Sequence, residues 1–303
     1  MNGTRTGRSR ACLAVLLLAV AGLLLSPVSL AEVGVDRATG AFLSMALEGG
    51  DGGPSGSPFP WGCVRPGAST LLNEHGDDEG DGAPSVAFEP GTARPVIAWA
   101  ESTGDGWHRV VISRWEGAAW SDPEPVSQAG VDTADASVDV TPTGLPVVAW
   151  WEPATGTLTW VRRKLADGSW DDPESIGGGS EPHRFPSIAA LGDGDAVVAF
   201  SAEVGEGLFE VRVARRSEGW AERTVETGLT VSQWRGRGDL ALEVHYEAGV
   251  TWMEWARTAA EFATSRLDPA TGEWSTSESI PCEATHDGWR RARFEARRRA
   301  LGW

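Results

Sequence analysis

The chain has 303 residues, a formal net charge of −17 at pH 7 and a hydrophobic content of 41%. Binding to nucleic acid or anionic lipid through the main body is not expected, because both depend on an excess of lysine and arginine. The acidity is instead typical of a protein that stays soluble outside the cell.

Residues 1–31 have the pattern of an export signal. Three arginines precede an apolar run over residues 11–25, and small residues at positions 29 and 31 form a cleavage pattern. Cleavage before Glu32 leaves a secreted or periplasmic chain with a formal charge of −20. An uncleaved membrane anchor is the alternative, but the run is interrupted at Pro27 and is shorter than the ~20 apolar residues of a span. No membrane contact is therefore expected after cleavage.

Residues 32–83 are predicted to be an N-terminal segment with a glycine-rich spacer over 49–58 and an acidic loop over 73–83. The loop lacks the ligand spacing of a twelve-residue calcium loop, so no metal is predicted there. Two cysteines follow the signal, Cys63 and Cys282, and two cysteines in an exported protein are expected to pair.

Residues 84–281 contain four repeats. The motif PVIAW ends at Trp99, and related motifs end at Trp150, Phe200 and Trp252, at nearly constant steps. Each repeat has four short segments rich in valine, isoleucine and aromatic residues between glycine, aspartate and proline turns, which predicts four strands. The fourth segments begin at tryptophans 120, 170, 220 and 274, so a second marker reports the same period.

Four antiparallel strands per ~50-residue unit is the pattern of a β-propeller blade. The predicted fold class is therefore all-β, a β-propeller of four-stranded antiparallel blades. One twisted sheet of this size cannot bury both faces alone, so successive blades are expected to pack face to face. A sandwich lacks this fixed period, and a helical solenoid is excluded because no long apolar pattern of 3.6-residue period follows the signal.

A fifth blade shared between the two ends of the chain is predicted to close the ring. Within the basic C-terminal segment, 282–303, the stretch 291–303 aligns by spacing with the first two strands of the fourth repeat. Segments 41–47 and 60–64 resemble a third and a fourth strand. Two alternatives stay open: a four-bladed ring closed by the Cys63–Cys282 pair, and a chain that is a fragment of a longer propeller.

Catalytic motifs are absent from the sequence. It has no serine flanked by glycines on a strand-to-helix turn, no HExxH, no phosphate-binding glycine loop and no cysteine-histidine metal pattern. The five histidines are isolated from one another in sequence. The sequence therefore favours a binding protein over an enzyme, and it predicts no cofactor and no metal site.

Tryptophan departs from ordinary composition, with 16 residues beside a single tyrosine. The tryptophans that recur at the blade period are expected to pack between blades. The others are better candidates for exposed rings that stack on sugars or anchor a protein partner. These are Trp107, Trp151, Trp160, Trp234 and Trp255.

The candidate binding site lies in the loops that lead into the first strands of repeats three and four, since such loops share one face of a propeller. Together these residues form a cationic and aromatic patch that suits a carboxylate or another anionic group. The opposing interpretation is that the arginines pair with nearby acids such as Glu181 and Asp239. The predicted site residues are His183, Arg184, Trp234, Arg235 and Arg237.

With strands and tryptophans placed, the repeats of residues 84–281 resemble those of secreted bacterial β-propellers of the sialidase-like and propeller-lectin groups. The stretches KLADGSW (164–170) and LDPATGEW (267–274) echo the Asp, Gly and Trp of the sialidase aspartate box at a different spacing. The resemblance implies the fold. Sialidase chemistry needs a tyrosine nucleophile beside a glutamate and three arginines; Tyr246 lies near Glu243 in sequence, but no motif identifies the arginines.

These observations favour an extracellular β-propeller binding module for carbohydrate, lectin-like, whose partner is an extracellular glycan or protein. Repetition would give several similar weak sites that gain by multivalency. One alternative is a sialidase-like or other propeller glycoside hydrolase, a group that includes enzymes with carboxylates at the central channel. The other is a non-catalytic protein-interaction propeller.

Overall fold

The computed structural model describes residues 34–36, 41–43, 84–103, 105–153, 158–177, 181–230, 242–258, 261–282 and 286–302. The chain divides into two compact units, 1–34 with 43–68 and 35–42 with 69–303, and all four sheets described below belong to the second. The predicted signal peptide and most of the predicted N-terminal segment lie outside the described residues. No helix within the described ranges is long and apolar enough to cross a membrane.

Four antiparallel sheets of four strands follow one another along the chain, and each is called a blade below. The strands of every blade are hydrogen-bonded in chain order, so each sheet is a meander from a first to a fourth strand. The predicted all-β class and its four four-stranded repeats are confirmed. Blade 1 comprises β3 (Ser85–Phe88), β4 (Pro95–Ser102), β5 (His108–Arg114) and β6 (Glu124–Pro125); blade 2 comprises β7 (Ala134–Val140), β8 (Pro146–Trp151), β9 (Thr159–Arg163) and β10 (Glu174–Ile176); blade 3 comprises β11 (His183–Ala190), β12 (Ala196–Gly205), β13 (Leu208–Arg215) and β14 (Glu222–Thr230); blade 4 comprises β15 (Leu242–Glu247), β16 (Val250–Thr258), β17 (Glu261–Arg266) and β18 (Glu278–Pro281).

Two further strands lie near the start of the chain. β1 (Gly34–Asp36) and β2 (Ala41–Leu43) pair with each other in a separate two-stranded sheet. The prediction that residues 41–47 supply the third strand of a closing blade is therefore wrong for the part described, because the partner of β2 is β1. Residues 60–64 lie outside the described ranges.

Consecutive blades pack face to face through their first and second strands. One large aromatic residue from each second strand is at most 1% exposed: Trp99, Trp150, Phe200 and Trp255. In blades 2, 3 and 4 this residue packs on apolar side chains of the preceding blade. The main contacts between the described blades join blade 1 to blade 2, blade 2 to blade 3 and blade 3 to blade 4.

The register of blade 4 corrects the sequence alignment by three residues. In each blade an arginine near the end of the third strand pairs with the second strand, and its partner is Val96, Val147, Val197 or Trp252. Trp252 therefore lies where the other blades have a valine. Trp255, three residues later, occupies the position of the buried aromatic, although it was predicted to lie off the repeat.

A ladder of serine hydroxyls links the first strands of successive blades. Each hydroxyl accepts a hydrogen bond from a backbone N–H on the first strand of the next blade. A buried amide is therefore satisfied at every interface between blades. The serine occupies the same position in the first strands of blades 1, 2 and 3, where it pairs with an alanine of the second strand. The pairs are Ser85 with Val138 at 3.0 Å, Ser137 with Ile188 at 3.1 Å and Ser187 with Val244 at 3.0 Å.

Residues His286–Leu301 form a helix, α1. The prediction that 291–303 supplies two strands of a fifth blade is wrong. This stretch is composed almost entirely of arginine, alanine, glutamate and leucine, which are strong helix formers, and contains no β-branched residue. Glu295 also pairs with Arg298 and Arg299 one turn later, and hydrogen bonds from these guanidinium groups lower the pKa of its carboxyl to about 2.

The helix α1 packs on the face of blade 4 that a following blade would occupy. Ala292, Ala296 and Ala300 recur at every fourth position and are buried. The first two pack on Phe262 and Ile280 of blade 4. A stripe of small side chains thus lets α1 cover the apolar end of the blade series.

Cys282 lies beside the same cluster as a free thiol. Burial raises the pKa of this thiol, and the negative charge of Glu261 acts in the same direction. The structure therefore does not show the predicted pairing with Cys63, which lies outside the described residues.

Candidate functional site

Two of the five predicted site residues, His183 and Arg184, lie in the described part of the chain. The sequence placed them in a loop, whereas the structure places them at the start of the first strand of blade 3. Trp234, Arg235 and Arg237 lie outside the described ranges. The convergence of all five residues in one patch stays a prediction.

His183 is a buried part of the interface between blades 2 and 3. Its side chain is 1% exposed and stacks on Phe200, with ring centroids 4.2 Å apart. Nδ1 accepts a hydrogen bond from the Thr159 N–H at 3.4 Å, and Nε2 lies 3.7 Å from Glu222 Oε1. Burial lowers the pKa of His183, although the charge of Glu222 opposes this. A neutral, enclosed imidazole serves packing and cannot contact a ligand at the surface.

Arg184 lies among three half-buried side chains. Its guanidinium carbon is 5.6 Å from the Trp151 ring centroid, a cation–π distance. Nη2 lies 3.3 Å from Glu203 Oε2, and the Arg184 side chain remains 42% exposed. The positive charge of Arg184 also favours the ionised form of the Asp135 carboxyl and so lowers its pKa. We call Asp135, Trp151, Arg184 and Glu203 the Arg184 site.

The four members of the Arg184 site lie at one end of blades 2 and 3. Asp135 and Arg184 are each the second residue of a first strand, and Trp151 is the last residue of a second strand. Because neighbouring strands run antiparallel, the beginning of each first strand lies beside the end of the second strand, at the same end of the sheet. Arg184 does pair with an acid, but the acid is Glu203 and not Glu181, whose Oε2 lies 3.8 Å from Arg212 Nη1.

Two residues at this end of the sheets have an unusual backbone conformation. Asp135 and Phe185 have φ values of 50° and 52°, in the left-handed region that non-glycine residues rarely adopt. Each lies inside a register shift between the first and second strands, between Ala134 and Ser137 in blade 2 and between Arg184 and Ser187 in blade 3. Bulges and strained residues of this kind re-aim side chains and often accompany functional sites.

The carboxyl of Asp135 has a raised pKa. Burial is the main cause, and a hydrogen bond from the Phe185 N–H and the charge of Arg184 oppose it only in part. The folded pKa therefore lies above the ordinary value of about 3.9 for an unfolded chain. Ionised Asp135 costs stability, and this cost develops as the pH rises from about 4 through the folded pKa.

Replacing Asp135 is expected to stabilise the protein. Asp135→Asn keeps an oxygen that can accept the Phe185 N–H but removes the buried charge, so the free energy of unfolding at pH 7 should rise by about 1 kcal/mol. Urea unfolding at pH 4 and pH 7 measures this, and the gain should be smaller at pH 4. Asp139 is the contrasting control. Burial raises the pKa of its carboxyl as well, but both of its oxygens accept N–H groups, from Val140 at 2.8 Å and from Ala190 at 2.7 Å. The amide nitrogen of Asp139→Asn would face one of these donors, so this variant should gain less stability than Asp135→Asn or lose stability. If both variants lose the same free energy of unfolding, the buried charge of Asp135 does not cost stability and the prediction is wrong.

The off-repeat tryptophans divide into three groups. Trp107 is 41% exposed, as predicted. Trp151 and Trp160 are half-buried, and Trp160 packs at the interface of blades 1 and 2. Trp255 is 0% exposed, so its prediction as an exposed ring is wrong. Of these tryptophans, Trp151 is the one placed beside the charged side chains of the Arg184 site.

One group of side chains in the described residues has metal-ligand spacing. Possible ligand atoms of Glu243, His245 and Glu254 all lie within 4.8 Å of one another. Arg293 of α1 reaches this group, with Nη2 2.5 Å from Glu243 Oε1 and Nε 3.2 Å from Glu254 Oε1. The guanidinium supplies the positive charge that a metal ion would supply. We therefore assign this group to the contact between blade 4 and α1.

The pKa of His245 is expected to make this contact pH-dependent. Burial opposes protonation, but a hydrogen bond to Glu254 and the negative charges of Glu254 and Glu243 outweigh it and raise the pKa, against a smaller opposing effect of Arg293. A raised folded pKa gives stability that is fully present below the unfolded value of about 6.5 and is lost as the pH rises through the folded pKa. His245→Gln should therefore destabilise the protein more at pH 5.5 than at pH 9 in urea unfolding. A loss that is independent of pH would contradict this prediction.

The fold and the Arg184 site define an all-β protein of successive propeller-type blades with a polar and aromatic site at one end of the strands.

No family model and no curated protein matches the sequence. Among solved structures, a protein of unknown function from Dyadobacter fermentans has 13% identity and a TM-score of 0.44, covering 67% of this chain and 71% of that one. An exo-1,5-α-L-arabinanase from a bovine ruminal metagenomic library has 12% identity and a TM-score of 0.37, covering 69% and 76%. A thermostable family-43 glycoside hydrolase has 12% identity and a TM-score of 0.40, covering 68% and 72%.

Proposed function

We propose that this protein binds carbohydrate through the Arg184 site. The observation that carries the proposal is the position of Arg184, whose exposed guanidinium is held between the Trp151 ring and the Glu203 carboxylate. A guanidinium donates to hydroxyl oxygens, a carboxylate accepts from hydroxyl hydrogens, and an indole offers an apolar surface. Neighbouring hydroxyl groups on a sugar ring need this combination of donors and acceptors.

A neutral sugar fits the described site better than an anionic one. Arg184 carries one positive charge, while Glu203 is paired with it and the Asp135 carboxyl lies within reach of its charge. An incoming carboxylate would compete with two acidic side chains for one guanidinium. The predicted preference for anions rested on a patch of five residues, of which Trp234, Arg235 and Arg237 lie outside the described residues.

Binding to a glycan array by the whole secreted chain tests the proposal. Arg184→Ala should weaken binding to the recognised sugars about 10- to 100-fold, the loss expected for a charged hydrogen-bonding group. Arg223→Ala is the matched control, because Arg223 pairs with Glu218 at side-chain exposures of 44% and 26%, close to the 42% and 26% of Arg184 and Glu203, and it should leave binding unchanged. A folded chain that binds no sugar, or binds equally well without Arg184, would reject the proposal and leave the protein-interaction propeller.

Glycoside hydrolysis is the second candidate, and one observation favours it. The raised pKa of Asp135 is the property of a general acid, and a second carboxylate, Glu203, lies across Arg184 from it. Hydrolysis of a panel of glycosides should then be abolished by Asp135→Asn even though that variant is more stable. Binding without turnover by the native chain would leave the lectin-like function.

Action on an extracellular glycan further requires export. We propose that residues 1–31 direct it, as their charge and apolar pattern predict. N-terminal sequencing of the protein recovered outside the cytoplasm should begin at Glu32. Recovery of uncleaved chain in the membrane fraction would support the anchor instead.

A further inference from the structure

Trp107 carries an exposed indole ring that the Arg184 site does not use. It is 41% exposed and is the most exposed tryptophan of the described residues. It lies in the hairpin between β4 and β5 and directly precedes His108, which pairs with Ser102 at the end of β4. A ligand that covers this ring would remove a large apolar surface from water, which favours binding.

Hydrogen bonds fix the backbone at Trp107. Its carbonyl oxygen accepts the Thr103 N–H and the Thr103 hydroxyl, each at 2.9 Å, and its own N–H donates to Asp105 Oδ1 at 3.3 Å. The ring is therefore presented from a closed hairpin, so little conformational entropy is lost when a ligand stacks on it.

Trp107 is joined to the Arg184 site through the segment that enters blade 2. The next residue, His108, places its N–H and its Nδ1 3.1 and 3.0 Å from Asp132 Oδ1, and its carbonyl oxygen accepts the Thr133 hydroxyl at 3.0 Å. Asp135 of the Arg184 site follows Asp132 by three residues, a span of at most about 10 Å. Trp107 and the Arg184 site therefore lie close together at the same end of blades 1 and 2.

Two adjacent blades present one indole each at this end. The last pair between the second and third strands is Ser102 with His108 in blade 1 and Trp151 with Thr159 in blade 2. Trp107 lies just beyond the first of these pairs, and Trp151 belongs to the second. Packed sheets lie about 10 Å apart, a spacing that suits two rings of one saccharide chain better than a single sugar.

The surroundings of Trp107 favour a saccharide over a protein partner. The side chains that hydrogen-bond next to it are polar: Thr103, Asp105 and the pair of His108 with Asp132. A stable protein interface instead has a core of several apolar side chains and buries roughly 1,000 Å² or more. A single flat ring among hydroxyl and carboxylate groups suits one sugar ring, which stacks through its C–H face and keeps its hydroxyls beside polar groups.

We propose that the protein binds an oligosaccharide chain, with one ring held in the Arg184 site and another ring of the same chain stacked on Trp107. The proposal rests on carbohydrate binding at the Arg184 site and specifies the ligand class, an extended neutral oligosaccharide. Trp107 contributes stacking and no hydrogen bond to a particular hydroxyl, so it adds affinity for longer chains of any sugar that the Arg184 site accepts.

Calorimetric titration of the whole chain tests the proposal, with mono- to hexasaccharides of glucose, xylose, mannose, galactose and arabinose as probes. In a series that binds, the hexasaccharide should bind about 3- to 10-fold more tightly than the shortest member that binds, the effect of one stacked ring. Trp107→Ala should remove this gain and leave the affinity for the shortest member unchanged, whereas Trp107→Phe should keep most of it. Phe294→Ala, at a ring that is 61% exposed on α1, is the matched control and should change neither affinity.

The outcomes separate this proposal from carbohydrate binding itself. If Arg184→Ala weakens binding of the shortest member but the gain from chain length survives Trp107→Ala, the role of Trp107 is overturned and the Arg184 site stands. If the folded chain binds no member of any series, both are rejected and Trp107 is assigned to a protein partner.

Fluorine NMR of the chain labelled with fluorotryptophan shows whether the contact is direct. The Trp107 and Trp151 resonances are assigned by their loss in Trp107→Phe and Trp151→Phe. The hexasaccharide should shift both resonances, whereas the shortest member that binds should shift that of Trp151 alone. A Trp107 resonance that does not move with the hexasaccharide would overturn the proposal, even if Trp107→Ala weakens binding.

Discussion

Arg293→Ala is expected to destabilise the protein by about 3 kcal/mol, near the lower end of the range for breaking a buried ion pair. The change leaves Glu254, which is 3% exposed, without the guanidinium that lies 3.2 Å away. Glu243 also loses its arginine partner, but Glu243 and Arg293 are 34% and 30% exposed, so solvent screens part of that loss. Urea unfolding at pH 8 measures the effect. At pH 5.5 the loss should be smaller, because protonated His245 can then serve as a partner for Glu254.

The register of the blades supplies a rescue for this variant. The position of Glu243 is held by Ser85, Ser137 and Ser187 in the other blades, and each of these serines pairs with an alanine where Glu243 pairs with Glu254. The double change Glu243→Ser and Glu254→Ala therefore gives blade 4 the residues of its neighbours and removes the charges that Arg293 neutralises. In that background Arg293→Ala should cost less than about 1 kcal/mol.

Arg298→Ala is the matched control on the same helix. Arg298 pairs with Glu295 at the exposed side of α1, and exposed ion pairs contribute about 0.2–1 kcal/mol. If Arg298→Ala and Arg293→Ala lower the free energy of unfolding equally, these arginines stabilise the protein by stabilising the helix and not through the contact of α1 with blade 4.

The sequence was sufficient to predict the blades because two independent residue types recur at one spacing. These are the aromatic residue of the second strand and the tryptophan that begins the fourth segment. The aromatic residue of the second strand is buried in every blade, so its period survives in the sequence. The alignment failed in blade 4 for a local reason. Trp255 and Arg266 are closer together in sequence than Trp99 and Arg114, so extra residues before the second strand are offset by a shorter hairpin after it. Counted from Arg215 to Arg266 the two changes nearly cancel, so this spacing alone does not place the second strand between them.

The end of the chain was misassigned because spacing was given more weight than local preference. Residues 291–303 fit the period of the repeats, yet alanines at every fourth position and the absence of β-branched residues already indicate a helix. In the folded chain Arg293 and Arg297 of α1 contact Glu243 and Glu247 of blade 4.

The candidate site was predicted only in part. Arg184 was identified from its loop-like sequence, and Trp151 from its departure from the repeat. Asp135 and Glu203 carry no motif, because their roles come from burial and from the ion pair with Arg184. A signal did exist: Asp135 lies two residues before Ser137 as Phe185 lies two before Ser187, and both positions have positive φ. Only the strand register shows that this shared position is a bulge.

Trp255→Ala is expected to destabilise the protein by about 3–5 kcal/mol, the range for removing a buried aromatic ring. Trp255 packs on Ala189, Val197 and Ala199 of blade 3, and its Nε1 donates to Glu226 at 2.7 Å. Trp255→Phe should cost only about 1.5 kcal/mol, the value of a hydrogen bond to a charged group, since Phe200 fills the same position in blade 3. Trp107→Ala, at a ring that is 41% exposed, should change the free energy of unfolding by no more than about 0.5 kcal/mol. Urea unfolding of the three variants decides the register, because a loss at Trp255 as small as that at Trp107 would mean that Trp255 lies off the repeat after all.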